Sequence, residues 1–200
     1  MLTELALYNH TILKNEEAKL SRLTQELLDK TINNVIDKGV QRQQYDFLIS
    51  EFENNLSKTL SEKEWQNFIY ENFRLLFPEF IKIDKEKKLT TIDQDTKYID
   101  FILQNDTTEL LLEIKLPNAK IMSDSKDRNN HYLVSGVTKA ILQLQRYISS
   151  YRAEIFKTSK EKYLKALLLI GEDKNTDIKQ NNDWNLARNM YKDIDIITYT

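Results

Sequence analysis

The sequence predicts an α/β fold: a mixed sheet flanked by helices and preceded by an N-terminal helical segment. Three observations carry that reading. Apolar residues recur at helical spacing as far as Leu76. From Lys97 onward they gather into short strand-like stretches, and a helical stretch stands between two of them. With 200 residues, 40% of them hydrophobic and 30% charged, the chain has enough core for one domain and a small appendage. We place the boundary near residue 60, giving a helical segment over 1–60 and the principal domain over 61–200.

The elements follow in order. Leu20, Leu23, Leu27, Leu28, Val35 and Ile36 form an apolar stripe, and Gly39 after it predicts a C-cap. A second stripe runs Tyr45, Leu48, Ile49, Phe52, Leu56 and Leu60. Ser61-Glu62-Lys63-Glu64 then reads as a capping box, a hydroxyl followed three positions later by a glutamate. The helix it opens carries Trp65, Phe68, Ile69, Phe73 and Leu76 and ends at Pro78. The Lys82–Lys88 run reads as a solvated edge. Residues 97–116 form a hairpin that turns at Gln104–Thr108, and a polar loop follows over about 117–134. Ser135 precedes a helix reaching about Arg152. Residues 163–170 form a third strand ending at Gly171. A short helix over Trp184–Tyr191 and a strand over Ile194–Tyr199 come last.

Composition excludes several chemistries. Without cysteine there is no disulfide, thiolate metal site or cysteine nucleophile. Two histidines, His10 and His131, exclude a histidine-rich metal site, and three glycines far apart exclude a phosphate-cradling loop. No apolar run approaches the ~18 residues of a membrane span. The N-terminus has no basic start or apolar signal core, so the chain reads as cytoplasmic with no membrane partner. Any chemistry falls to carboxylates, lysines, amides and an oxygen-liking metal.

The hairpin concentrates such groups. Strand side chains alternate between faces, so Ile99, Phe101, Leu103, Leu110, Leu112, Ile114 and Leu116 share one face. Tyr98, Asp100, Ile102, Leu111, Glu113 and Lys115 share the other. A turn centred near Asp106-Thr107 sets Asp100 opposite Glu113. Two carboxylates so placed raise a pKa or hold a cation, Mg²⁺ or Mn²⁺ in the absence of softer ligands. The alternative is an ordinary Asp-Glu-Lys ion triad on a solvated sheet face. In the next helix Gln143 and Tyr147, at i and i+4, lie on one face and can point at the same site.

Asp100, a hairpin, then Glu113-Ile114-Lys115 resembles the PD-(D/E)xK nuclease motif, with Ile99 standing where the superfamily's name has proline. Gln143-x-x-x-Tyr147 resembles the Gln-x-x-x-Tyr motif of one branch of that superfamily. Upstream, Glu64-Trp65-Gln66-x-Phe68 and Asn72 resemble the helix that leads into the nuclease domain of Shedu anti-phage defence proteins. Ala166–Gly171 and Ile196–Tyr199 resemble Shedu's later strands. The ordered set spans roughly residues 60–200. The resemblance implies a restriction-endonuclease-like core over 61–200. It implies metal-dependent hydrolysis of DNA phosphodiester bonds in bacterial defence, with Mg²⁺ or Mn²⁺ as cofactor, double-stranded DNA as partner and a homo-oligomeric assembly. On that pattern Asp100 and Glu113 hold the metal, Lys115 assists the attacking water, Gln143 and Tyr147 order the site, and Glu64 completes it. The capping box by itself already accounts for Glu64.

Lys126 and Arg128, in the polar loop, are candidates for contacts to a nucleic-acid backbone, against a plain solvated loop. His131 offers a general base, against a structural loop histidine. Trp65 and Trp184 read as core anchors. The formal net charge of −2 hides a split: residues 115–166 hold 11 basic and 4 acidic side chains, a balance of +7, and the remainder balances to −9. Two other functions fit the same sequence. One is a catalytically silent nucleic-acid-binding or regulatory module on the same fold, and the other a helical oligomerisation module built on the two N-terminal stripes.

Overall fold

A computed structural model describes residues 2–90, 96–158, 162–172 and 177–199. The chain divides into two compact units, Met1–Asn54 and Asn55–Thr200. The side chains of His10 and Leu20 lie outside those described.

The first unit belongs to α1, a single helix over Leu2–Leu56. The C-cap expected at Gly39 is not formed. An interior glycine costs a helix only about 1 kcal/mol relative to alanine, and Lys38 before it and Val40-Gln41-Arg42 after it propagate the helix without a proline or a capping side chain. Leu23, Leu27, Leu28, Ile32, Val35, Ile36 and Val40 are all exposed along it.

The second unit is α/β. Helix α2 spans Glu62–Leu76 behind the N-cap Ser61, whose capping box with Glu64 is formed as expected. A five-stranded sheet follows in the order β1-β2-β3-β4-β5. Its strands are β1 (Lys82–Thr90), β2 (Thr96–Gln104), β3 (Thr108–Ile114), β4 (Tyr163–Leu169) and β5 (Asp195–Ile197). The first three pair antiparallel and the last two join in parallel, so the sheet is mixed. Parallel neighbours need crossovers. Helix α3 (Ser135–Thr158) supplies the one between β3 and β4, and α4 (Ile178–Arg188) the one between β4 and β5.

Strand β1 corrects the expectation of a mere solvated edge at Lys82–Lys88. Only Ile83 and Leu89 are apolar among its first eight residues, because an edge strand is protected from further pairing by its charges. Its partner β2 supplies the apolar surface. Within β1, Glu86 has a φ of 51°. It stands where the register faces Asp100, since Lys85 and Lys87 on either side pair with Phe101 and Ile99. Its carboxylate pairs with Lys63 of α2.

Both sheet faces are covered at the hairpin. Val137, Ala140, Ile141, Leu144, Tyr147 and Ile148 of α3 pack in one core cluster with Ile102, Leu111, Ala166 and Leu168. On the other face Tyr70 of α2 stacks on Phe101, centroids 6.5 Å apart. Trp65 and Trp184 are each 1% exposed, core anchors as read from the sequence. Gly171, with φ 65°, is held in a conformation that L side chains rarely adopt, and a Cβ there would lie 2.6 Å from the Ala119 carbonyl oxygen.

Candidate active site

The hairpin register is the one the turn implied: Phe101 pairs with Leu112 and Ile102 with Leu111. The next step along it sets Asp100 beside Glu113. Asp100 is gripped at both oxygens. Gln66 of α2 donates from Nε2 to Oδ1 at 2.8 Å, and the Ile114 backbone N–H donates to Oδ2 at 2.7 Å. Glu113 is 2% exposed, so the alternative of an ion triad on a solvated face fails on burial. Its Oε1 accepts from Lys115 Nζ at 2.9 Å and from Gln143 Nε2 at 3.1 Å. Its Oε2 is buried and meets no donor.

Tyr147 extends the network. Gln143 Nε2 also donates to the Tyr147 hydroxyl at 2.7 Å, and that hydroxyl donates to the Tyr98 carbonyl at 3.0 Å. The i and i+4 residues of one helical face thus act on one point, as their spacing predicts. Tyr199 closes the far side by donating its hydroxyl to the Lys115 carbonyl at 2.8 Å.

The electrostatics follow from burial and crowding. Burial pushes Glu113 up to about 7, and the neighbouring Asp100 charge adds to the rise while Lys115 opposes it. Asp100 is also raised by burial, against the Ile114 N–H bond and Lys115. Burial alone would lower Lys115, but Glu113, Glu62 and Asp100 outweigh it and hold the ammonium above its usual range. Burial raises the Tyr147 hydroxyl as well.

Glu64 stands elsewhere. Its carboxylate accepts from the Ser61 N–H and hydroxyl, each at 2.7 Å, within the capping box. The Ser61 bonds hold its carboxyl below the usual carboxylate range. The residue of this turn that reaches the site is Glu62, 3.5 Å from Lys115 Nζ. The helical wheel carried that signal. Glu62 and Gln66 are four apart and share a face with buried Ile69, whereas Glu64 lies two residues, about 200°, around the helix.

The polar-loop candidates are not brought to the carboxylates. Lys126 lies 3.6 Å from Asp177. Arg128 and Asn129, with φ of 48° and 68°, form the two-residue turn between Asp127 and Asn130, which leaves Arg128 exposed at the tip. His131 is tied to α4 and to its own loop. Its N–H donates to Asp183 Oδ2 at 2.8 Å, and Nδ1 donates to the Ser123 carbonyl at 2.7 Å.

Among the described residues no three or more His, Asp or Glu side chains converge into a preformed metal cage. What stands here is a pair of carboxylates with one buried oxygen lacking a donor. That set fits a hard divalent ion of the Mg²⁺ kind, which takes one or two carboxylates and fills its remaining positions with water and phosphate oxygens. Asp100 and Glu113 are the residues that would hold it.

The fold and the site define a class: an α/β protein whose mixed sheet carries a carboxylate pair, Glu113 buried and Asp100 half-buried, with a lysine two residues along. Sequence comparison supplies the family. Residues 59–200 match the model described as Shedu protein SduA, C-terminal, and the chain belongs to this family. The resemblance to Shedu proteins drawn from its motifs is borne out. No curated protein matches the chain.

Proposed function

We propose that this chain is a metal-dependent endonuclease on a PD-(D/E)xK core. It hydrolyses phosphodiester bonds of double-stranded DNA, by nicking or cleavage, in bacterial anti-phage defence. The observation that carries the reading is the buried, donorless Oε2 of Glu113 beside Asp100, with Lys115 on the same carboxylate. Family membership supports the defence role.

A divalent ion, Mg²⁺ or Mn²⁺, would supply Lewis-acid polarisation of a phosphate oxygen and a water of lowered pKa. The chain's own residues do the rest. Asp100 and Glu113 offer the carboxylate oxygens. Gln66 and the Ile114 N–H fix the angle of Asp100, and Gln143 fixes Glu113 with its second N–H spent on Tyr147. Lys115 presents an ammonium to the charge that grows on the phosphoryl oxygens and orients the attacking water.

The test is nicking of supercoiled plasmid with Mg²⁺ or Mn²⁺. Lys115→Ala and Glu113→Gln should each lower the rate by about 100-fold or more, the loss typical of a removed electrostatic contact. Undiminished activity in both variants would sink the proposal and favour a silent nucleic-acid-binding module. A separate observation favours self-association alongside this activity: α1 exposes apolar side chains from Leu23 to Val40. No helix among the described residues is long and apolar enough to cross a membrane.

A further inference from the structure

Lys115 has two carboxylate partners of unlike character. Its Nζ donates to Glu113 Oε1 at 2.9 Å and lies 3.5 Å from Glu62 Oε1. The Glu113 side chain is 2% exposed and is also fixed by Gln143. The Glu62 side chain is 41% exposed and sits on the first residue of α2, where the unpaired N–H groups of the helix favour a negative charge.

The ammonium therefore sits on an oxygen of the carboxylate that a divalent ion would need. A divalent ion on the donorless Oε2 would stand close to the ammonium on Oε1, and in so buried a site their repulsion is weakly screened and favours moving the ammonium aside. Lys115 itself is anchored at its backbone. Its N–H donates to the Leu169 carbonyl at 2.8 Å, and its own carbonyl accepts from Tyr199. Only its flexible stem can move, and Glu62 is the nearest carboxylate that is not part of the opposed pair.

We propose that Glu62 is the second seat of Lys115, a positioning residue that receives the ammonium when the Asp100/Glu113 pair takes a divalent ion. This rests on reading that pair as a metal site. The transfer keeps the ammonium inside the site instead of releasing it to solvent, so it still faces the phosphate. Glu62 acts through Lys115 and does not itself bind the ion.

A double-mutant cycle on ion binding tests this without any nuclease assay. Mn²⁺ binding to the full chain is measured by calorimetry for the wild type, Glu62→Gln, Lys115→Met and the double variant. Lys115→Met should tighten Mn²⁺ binding, since the competing ammonium is gone. Glu62→Gln should weaken it by about tenfold with Lys115 present and by less than about twofold without it, a coupling expected only of residues that interact. Equal weakening in both backgrounds would make Glu62 a ligand and overturn the proposal. No effect in either background would make it a bystander and overturn the proposal too. If Lys115→Met does not fold, Lys115→Gln takes its place, because it can still donate to Glu113. A wild type that binds no Mn²⁺ removes the metal-site reading itself, and this proposal with it. Mn²⁺ binding without coupling removes the proposal alone.

Discussion

Glu113 is placed against its own stability. A carboxylate 2% exposed, with one oxygen lacking a donor and a second carboxylate beside it, favours the protonated form. Its carboxyl is raised to about 7. A group raised on folding contributes stability that is fully present below its unfolded value and lost as pH climbs through the folded one. The metal-free protein should therefore lose stability between about pH 4.5 and 7 at this residue, a trend that urea melts at a series of pH values would record. Glu113→Gln keeps an acceptor for Gln143 and Lys115 but removes the buried charge. At pH 8 without divalent ions it should raise stability by about 1–3 kcal/mol. A variant less stable than wild type under those conditions would refute this. The residue scale is also where the sequence misleads most. Asp100, Glu113, Lys115, Gln143 and Tyr147 share faces by simple parity and helical spacing, so their meeting was legible. Glu62 and Gln66 are marked only by their shared helical face, while the capping-box pattern marks Glu64, whose carboxylate is engaged at Ser61.

Elements differ in how plainly they are written. Helix α2 carries local signals at both ends, a capping box and Pro78, and it forms where those signals put it. The register of β2 and β3 follows from one short turn. Strand β1 has no such local signature, since an edge strand rich in lysine looks like a loop until β2 is present to pair with it. Gly39 misled in the opposite direction, because a glycine ends a helix only when nothing beyond it sustains the next turn. Two substitutions check these elements. Ser61→Ala should cost about 1 kcal/mol through loss of the cap, whereas Glu64→Gln retains the box and should leave both melting and nicking near wild type. Gly171→Ala should destabilise by about 2 kcal/mol or more, since it adds a Cβ against the Ala119 carbonyl to the strain of a left-handed residue. Thermal melts of each would decide.

At the scale of the whole molecule, charge and apolar surface point to partners. The basic stretch found in the sequence is partly neutralised in the fold: Lys126, Arg152 and Lys162 each lie beside a carboxylate from outside it. Its +7 balance therefore overstates the field a nucleic acid would meet. The long helix α1 exposes more apolar side chains than a lone helix in water normally does. If copies of the chain cover it, Leu27→Glu combined with Ile36→Glu in the full chain should lower the subunit count seen by light scattering. An unchanged count would exclude that role.

The clamp on Lys115 has a consequence in time. Its amide is held by Leu169 and its carbonyl by Tyr199, while its neighbour Glu62 comes from before the sheet. Nascent chains emerge from the ribosome N-terminus first, so Asp100 meets its partners Gln66 and Ile114 early, whereas Lys115 waits for Leu169 and Tyr199. Until synthesis has passed Tyr199, the lysine lacks the hydroxyl that holds its carbonyl.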